Sequence, residues 1–427
     1  RLTHATGSSG PKRLAVLPFE TRGTADDAYF ADGVSEEITN RLSSVASLAV
    51  IASTSAAQYR GSTKTPKQIG NELGVEYLIE GTVRWSGGDT AAGRPVRVNA
   101  RLIRASDGDV LTPFDTTATT DDVFAIQTAI ANRFTEKLSV ALLEPEKKRL
   151  SMQPTDNVDA YRNYLQGNVA YDRSWGRDDV EAALTSYKKA VELDPNFALA
   201  WAKIARTHAW IYQLRYDRTT DRLVAAKEAA DNAIRLDPGL SEAHLSLGLY
   251  WYWGMGEYDK ALAEFAKAGQ LQPSNAQVFQ QTGNVNRRQG KFPEAIANYR
   301  KSANLNPRYH LAWFNYGETS LFVRQYAQAA PALARVTALA PDFLEGYVQQ
   351  ARLAISERGD VDGARNFLRM AEERIPPSAW RSSMLDFARI AYGPNLQPYL
   401  ARLRPGVYGL DTASYHLMKA RFLRQMS

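Results

Sequence analysis

The spacing of apolar residues near the start of the chain predicts a strand followed by a helix. Residues 14–19 form a short continuous apolar run, which is typical of a buried strand. Phe30, Val34, Ile38 and Leu42 then recur every four residues, so that one face of a helix is apolar. The change of period within 30 residues favours a domain that mixes strands with helices.

The same mixture continues to about residue 140. In residues 96–104, apolar side chains alternate with arginine and asparagine. This alternation predicts a strand with one face buried and the other exposed to solvent. A glycine- and serine-rich segment joins this strand to the preceding one at 75–85, which predicts an antiparallel hairpin. The other predicted elements are strands at 48–51 and 110–114 and helices at 65–73 and 121–138. The first part of the chain is therefore predicted to be a mixed-sheet α/β domain.

The second half of the chain is predicted to be a repeat array. A proline follows the apolar end of a helical segment six times, at Pro195, Pro238, Pro273, Pro307, Pro341 and Pro376. Their separations are 43, 35, 34, 34 and 35 residues, close to the 34-residue period of tetratricopeptide repeats. The nine extra residues of the first interval predict a protruding loop around 213–221, between the two helices of the second repeat.

Small and large residues confirm the register of these repeats at the sequence level. The position twelve residues before each proline is always alanine: Ala183, Ala226, Ala261, Ala295, Ala329 and Ala364. The position eight residues before it is mostly large: Tyr187, Ala230, Phe265, Tyr299, Leu333 and Leu368. Gly248, Gly283 and Gly317 mark the close approach of the first helices. The segment 158–376 therefore resembles six tetratricopeptide repeats, which form an all-α superhelical solenoid.

The first half also resembles a known family. The ordered motifs LAVLPF, YFADGVSEEI, LAVIASTSAAQY, IGNELGVEYLIEGTVR, VRVNARLI and VFAIQTAIANRF are similar to those of the TolB amino-terminal (FlgO/TolB-like) α/β domain. The resemblance implies a domain found beside tetratricopeptide repeats in bacterial adenylate cyclases, CadC-like regulators and receptor-type serine/threonine kinases. The resemblance implies no catalytic residues, because the family has no established ones.

Five segments are predicted along the chain. They are a tether at 1–11, the TolB-like domain at 12–143, a linker at 144–157, the repeats at 158–376 and capping helices at 377–427. The caps are expected because the last apolar face of a solenoid has to be covered. We also expect a signal, a membrane segment or another domain to precede Arg1.

Composition and charge exclude several classes of function. The chain has 427 residues and no cysteine, which removes disulfides, thiolate metal sites and cysteine nucleophiles. Residues 1–150 carry 18 Lys and Arg against 18 Asp and Glu, so residues 151–427 hold the whole net charge of +6. The excess of positive charge is spread over many residues, and the sequence contains no run of five like charges. Nucleic-acid binding by this chain is therefore not predicted.

The sequence offers no convincing catalytic, cofactor or metal site. It lacks a phosphate-binding loop and the kinase HRD and DFG motifs. His208 and His244 fall at packing positions, which favours hydrogen-bonded interior imidazoles over metal ligands. Asp32, Glu36 and Glu37 share a helix, and solvation or pairing between domains is favoured over acid–base catalysis. We therefore expect no enzyme activity and no cofactor.

The candidate site is a partner-binding surface on the first helices of the repeats, the face with which repeats of this type bind protein segments. In the aromatic run at 250–253, packing between repeats is favoured for Trp251, whereas Tyr252 is placed on the binding face. Amides, aromatics and arginines are the groups that an extended or helical peptide would contact. The candidates are Arg206, Tyr252, Gln277, Gln280, Asn284, Arg287, Phe314, Glu318 and Arg352. The alternative interpretation is that these residues only form the solvent-exposed side of the repeats and bind no partner.

Three functional hypotheses follow. The favoured one is a non-enzymatic scaffold for sensing or signal transduction, whose repeats bind a protein or peptide and which regulates or anchors an effector domain outside this chain. The alternatives are a self-assembling surface or extracellular scaffold, which would form homo-oligomers, and a small-ligand sensor of a signalling receptor. The absence of cysteine suits a bacterial periplasmic or extracytoplasmic location, without excluding the cytoplasm.

Overall fold

A computed structural model describes residues 10–22, 28–85, 95–119 and 122–375. The predicted capping helices at 377–427 and the first nine residues of the predicted tether lie outside the described residues. The chain divides into two compact units. The first consists of residues 1–289 and 304–308, and the second of residues 290–303 and 309–427. Within the described residues, no helix is both long and apolar enough to cross a membrane.

The first unit begins with the predicted mixed sheet. Its strands are β1 (Lys12–Val16), β2 (Glu20–Arg22), β3 (Leu48–Val50), β4 (Tyr77–Trp85), β5 (Pro95–Arg104) and β6 (Val110–Thr119). The order is β3-β1-β4-β5-β6, and β2 pairs with β4 beyond the end of β1. Pairs among the first four strands are parallel, whereas β4–β5 and β5–β6 are antiparallel, which confirms the predicted hairpin.

Helices cover both faces of this sheet. They are α1 (Ala28–Ser43), α2 (Ser53–Ala56), α3 (Pro66–Leu73), α4 (Val123–Lys137) and α5 (Glu144–Ser151). Thr65 caps α3 by accepting a hydrogen bond from the Gln68 amide, and Gly74 ends that helix with φ 65°. The stretch 144–157 contains α5, whose Leu150 is completely buried.

Within the described residues from 158 to 374, six helix pairs follow, as the proline register predicted. The first helices are α6 (Val158–Arg173), α8 (Ala198–Gln213), α10 (Ser241–Leu249), α12 (Ala276–Arg288), α14 (His310–Phe322) and α16 (Leu344–Arg358). The second helices are α7 (Arg177–Leu193), α9 (Thr220–Leu236), α11 (Tyr258–Leu271), α13 (Phe292–Leu305), α15 (Tyr326–Leu339) and α17 (Val361–Arg374). The chain is thus a mixed α/β domain followed by tetratricopeptide-like repeats.

The small residues used to set the register are buried where the helices meet. All six of the predicted alanines have no solvent exposure. A β-carbon on Gly248 would lie 2.4 Å from the Phe265 ring, and one on Gly317 would lie 2.8 Å from Leu333. These positions therefore need small residues because the paired helices approach each other closely.

In the first unit, one hydrophobic core continues from the sheet into the first repeats. It includes β1, α1 and α4 of the α/β domain together with buried side chains of α6 and α7. The Phe124 ring of α4 meets the Tyr161 ring of α6 edge to face, with ring centroids 4.6 Å apart. The α/β domain is therefore packed onto the repeats through apolar side chains and not only through polar contacts.

Two local features interrupt the regular repeats. The inserted loop lies at 214–219, as predicted, but it folds back onto the first repeat: the Tyr216 hydroxyl donates to the Trp175 carbonyl at 2.8 Å. Residues Tyr250–Met255 form a π-helical turn after α10. Trp251 and Tyr252 of this turn both pack against a cluster of buried apolar residues.

Candidate functional site

Helix α1 of the α/β domain lies against the first helices of the repeats. The Asn168 side chain of α6 donates to Glu36 Oε2 at 3.2 Å, and Lys203 Nζ of α8 lies 4.0 Å from Glu36 Oε1. Gln272, just after α11, donates to the Asn40 carbonyl at 3.1 Å. The expected pairing of this acidic helix with another domain is confirmed for Glu36.

The edge of the sheet is held by the turns between repeats. Ser274 Oγ donates to the Leu48 carbonyl at 3.0 Å and accepts from the Val50 amide at 3.2 Å. This serine satisfies backbone groups that an edge strand would otherwise expose. Beyond β3, the Ala52 amide donates to the Leu305 carbonyl at 2.8 Å. The α/β domain is thus attached at two successive turns of the repeats.

Ionisable groups gather where α1 meets α8, and Glu242 of α10 lies close enough to influence Glu37 electrostatically. The Glu37 side chain is 12% exposed and pairs with Arg41, whose Nε lies 2.9 Å from Glu37 Oε1. Burial raises the pKa of Glu37 to about 7, opposed by the charge of Arg41 and reinforced by those of Glu242 and Glu36. Burial also raises the pKa of Glu36, against the effect of Lys203.

Glu242 of α10 completes this group. Its pKa is raised by burial, and the charges of Lys203 and Arg206 oppose that rise. Arg41 itself is 4% exposed and donates to Thr128 Oγ1 at 2.8 Å. We call Glu36, Glu37, Arg41, Lys203, Arg206 and Glu242 the junction cluster.

A pocket of 340 Å³ opens between α1 and α6, beside the junction cluster. It is lined by Asp32, Gly33, Glu36, Leu165, Asn168, Val169, Asp172 and Arg173. Asp32, at its rim, forms an ion pair with Arg60. No group of three or more His, Cys, Asp or Glu side chains in the described part of the chain could hold a metal ion.

Four of the predicted partner-binding residues form one stripe on α12. Gln277, Gln280, Asn284 and Arg287 follow each other at spacings of three, four and three residues, and all are partly exposed. Asn284 Nδ2 donates to Gln281 Oε1 at 3.0 Å, which orients its amide. We call these four residues the α12 stripe.

Arg206 and Tyr252, the other candidates in the first unit, also have partners inside the chain. Arg206 Nε donates to the Tyr171 hydroxyl at 3.2 Å, and its guanidinium lies 4.7 Å from the centre of that ring. Tyr252 packs against Tyr258, with ring centroids 6.0 Å apart. The binding of a partner by these two residues stays a prediction. Both side chains already pack against other residues of the chain, so a partner would bind to them in these packed positions.

In the second unit, Phe314 and Glu318 are neighbours on α14. The Phe314 ring meets the Phe343 ring edge to face, with centroids 5.3 Å apart. Glu318 Oε1 accepts from the Gln349 side chain at 3.2 Å, which links α14 to α16. Arg352 is a partly exposed residue of α16. Their contact with a partner also stays a prediction.

The two interior histidines are hydrogen-bonded, as predicted. His208 Nδ1 lies 3.1 Å from Arg222 Nη1 and can only accept there, and burial with the Arg222 charge lowers the pKa of His208 to about 4. Both ring nitrogens of His244 face acceptors, Glu264 Oε2 at 2.6 Å and the Pro238 carbonyl at 3.0 Å. These imidazoles therefore take part in packing within the repeats.

Sequence reasoning missed the partners of α1. Lys203, Asn168 and Glu242 were not singled out, although each lies on a first helix, the kind of element to which the binding face was assigned. Lys203 is also three residues before the candidate Arg206 and so lies on the same helix face. What was missing was knowledge of which surface the α/β domain covers.

Comparison with known proteins supports the repeats. The family model for the tetratricopeptide repeat matches residues 175–197. The chain is 31% identical over 250 residues to a protein of Rhizobium meliloti (strain 1021) named "Putative adenylate cyclase 3", covering 58% of this chain and 41% of that protein. It is 24% identical over 160 residues to anaphase-promoting complex subunit 3 of Schizosaccharomyces pombe, covering 38% of this chain and 23% of that protein. The chain thus spans less than half the length of either relative.

Two solved structures match part of the chain. The pilF protein of Pseudomonas aeruginosa matches with a TM-score of 0.42 and 20% identity, over 57% of this chain and 97% of that chain. PilW, a type IV pilus biogenesis factor, matches with a TM-score of 0.40 and 20% identity, over 49% of this chain and 92% of that chain.

Proposed function

We propose that this chain is a non-enzymatic protein-interaction region whose repeats hold a protein or peptide partner. In this proposal it regulates or anchors an effector domain outside these residues. The observation that carries the proposal is the α12 stripe, a row of polar side chains on a first helix next to the docked α/β domain. The α/β domain borders the stripe, because Phe279 of α12 packs with Ala49 and Ala52.

The chemistry of the α12 stripe suits an extended peptide. Each carboxamide of Gln277, Gln280 and Asn284 both donates and accepts, so it can match the alternating amide and carbonyl groups of a peptide backbone. Arg287 adds a guanidinium that can pair with a carboxylate side chain or a peptide carboxyl terminus. A peptide with at least one acidic residue is therefore the expected partner.

The α/β domain has a separate part in the proposal. Six ordered motifs support its assignment to the TolB amino-terminal-like domains. The Rhizobium relative supports an effector of the nucleotide cyclase class in a longer protein of this kind. A periplasmic or extracytoplasmic location for the chain belongs to the same proposal and is tested by fractionating the cells that produce it.

A peptide selection tests the proposed function. A phage-displayed library of random peptides is selected on the purified chain, and the enriched peptides are then tested on the double variant Gln280→Ala/Arg287→Ala. We expect enrichment of peptides with an acidic residue and loss of their binding to this variant. Enrichment of peptides that bind the variant equally well would place the binding surface elsewhere, and no enrichment at all would contradict the proposal.

A further inference from the structure

Three tryptophans from successive repeats form a row near the ends of the first helices. Trp175 follows α6, Trp210 belongs to the last turn of α8, and Trp253 lies in the π-helical turn after α10. The ring centroids of Trp175 and Trp210 are 5.7 Å apart, at an interplanar angle of 82°. Those of Trp210 and Trp253 are 5.1 Å apart, at 43°. We call these three residues, all in the first unit, the tryptophan row.

The two departures from regular repeats meet at this row. The inserted loop at 214–219 is anchored to the turn of Trp175, whose carbonyl accepts from the Tyr216 hydroxyl. Arg177 strengthens this anchor by donating to the Tyr216 carbonyl at 2.8 Å. The second departure, the π-helical turn, carries Trp253, and such turns are frequent at functional sites. The row is therefore held by structure that the regular repeat does not contain.

The tryptophan row is ordered and yet exposed to solvent. Trp175 is 50% exposed, and Trp210 and Trp253 are partly exposed. No acceptor among the described residues meets the indole N–H of Trp175 or Trp253, and the enclosed N–H of Trp210 lacks one as well. Trp201, which packs between repeats, instead donates to the Pro195 carbonyl at 2.9 Å. The row thus presents ring faces and hydrogen-bond donors that the fold itself does not use.

The carboxylates that hold the first tryptophan's turn and the inserted loop are engaged within the chain. Asp179 accepts from Arg173 at 3.1 Å and from the Ser174 hydroxyl, and Asp217 accepts from Arg222 at 2.9 Å. A sugar needs acceptors beside the ring faces, because each of its hydroxyl groups donates as well as accepts. A proline-rich segment does not, because proline has no backbone N–H and its carbonyl only accepts. The chemistry of the row therefore favours proline over sugar.

We propose that the tryptophan row binds a proline-rich segment of a partner protein in the polyproline II conformation. Such a segment rises about 3.1 Å per residue, so prolines three positions apart lie about 9 Å apart. This distance is comparable with the two successive ring spacings of 5.7 and 5.1 Å. The prolines stack on the rings, and the carbonyls between them accept from the indole N–H groups of Trp175 and Trp253. This surface is separate from the α12 stripe and goes beyond the proposed function.

Titration of the purified chain with decaproline tests this proposal. We expect calorimetry to show binding that Trp175→Ala weakens at least about tenfold, because the half-exposed ring is lost while the carbonyl that anchors Tyr216 remains. Phe322→Ala removes another exposed aromatic ring, outside the row, and should bind as the wild type does. In ¹⁹F spectra of fluorotryptophan-labelled wild type, the Trp175 resonance, identified by its absence in Trp175→Phe, should shift with decaproline. A glycine–serine peptide of equal length should cause no shift.

Four results would overturn the proposal. The first is no binding of decaproline, and the second is equal affinity of the wild type and Trp175→Ala. The third is a shift caused by a neutral oligosaccharide such as cellohexaose and not by decaproline, which would assign the row to carbohydrate. The fourth is binding that is lost in Gln280→Ala/Arg287→Ala and kept in Trp175→Ala, which would place decaproline on the α12 stripe. Failure of acidic peptides at that stripe would leave this proposal intact.

Discussion

Gly248 lies where the two helices of the third repeat pack closely against each other. A β-carbon there would lie 2.4 Å from Cε1 and 2.6 Å from Cδ1 of Phe265, well inside ordinary contact distance. The Phe265 ring is 1% exposed, so it cannot swing into solvent to make room. In Gly248→Ala, the paired helices therefore have to separate or the ring has to leave its preferred rotamer.

The expected cost can be worked from this geometry. Overpacking of this kind costs about 1–3 kcal/mol, and alanine returns about 1 kcal/mol of helix propensity. An approach of 2.4 Å to a buried ring places Gly248→Ala in the upper part of that range, about 2–3 kcal/mol, so we expect a net loss of about 1–2 kcal/mol in the free energy of unfolding. Gly269 of α11 is the matched control, because its added β-carbon would lie 3.5 Å from Val278 Cγ1, an ordinary contact. Gly269→Ala should instead raise the free energy of unfolding by up to about 1 kcal/mol.

Denaturant unfolding followed by circular dichroism measures both variants. The two substitutions are chemically identical, so opposite signs can come only from their surroundings. Adding Phe265→Leu to Gly248→Ala should recover part of the loss, since the smaller side chain leaves space for the new methyl group. A Gly248→Ala protein at least as stable as the wild type would refute the close packing inferred for this repeat.

Two further predictions concern buried side chains of the first unit, and a third concerns the activity of the whole chain. Tyr187→Phe removes the hydroxyl that donates to Asn168 Oδ1 at 2.8 Å and should cost about 1–2 kcal/mol in denaturant unfolding; an unchanged midpoint would contradict a buried hydrogen bond there. In the wild type, the free energy of unfolding should fall by about 3 kcal/mol as the pH falls from 6.5 to 4, because the pKa of His208 is lowered to about 4, and His208→Gln should abolish this fall. Denaturant unfolding across that pH range measures both proteins, and parallel pH curves would exclude His208 as the cause. The purified chain with ATP and Mg²⁺ should form no cyclic AMP, and turnover above that of a heat-treated sample would contradict a non-enzymatic role.

Most of the repeat architecture could be predicted because its constraints are local. Each proline follows the end of a helix pair in sequence, and each alanine such as Ala261 is buried where the two helices of its own pair meet. The hairpin at β4 and β5 was predictable for the same reason, since alternation and a small-residue connection act within one stretch of chain.

The candidate site was only partly predictable because it depends on distant residues. The stripe positions on α12 follow from the period of the repeat. Glu36, by contrast, bonds to Asn168, which is 132 residues away, and no periodicity links these two positions. The π-helical turn at Tyr250–Met255 depends on how the rings of several helices pack, which the spacing of aromatics does not determine.

Titration calorimetry with an enriched acidic peptide tests peptide binding by the α12 stripe most directly. The wild type, Gln280→Ala/Arg287→Ala and a control pair on the exposed side of α9, Glu228→Ala/Arg235→Ala, are titrated with the same peptide. We expect the stripe variant to bind at least about tenfold more weakly, a loss of about 1.4 kcal/mol, and the control to bind as the wild type does. Equal affinity of all three proteins would contradict the assignment of partner binding to the α12 stripe.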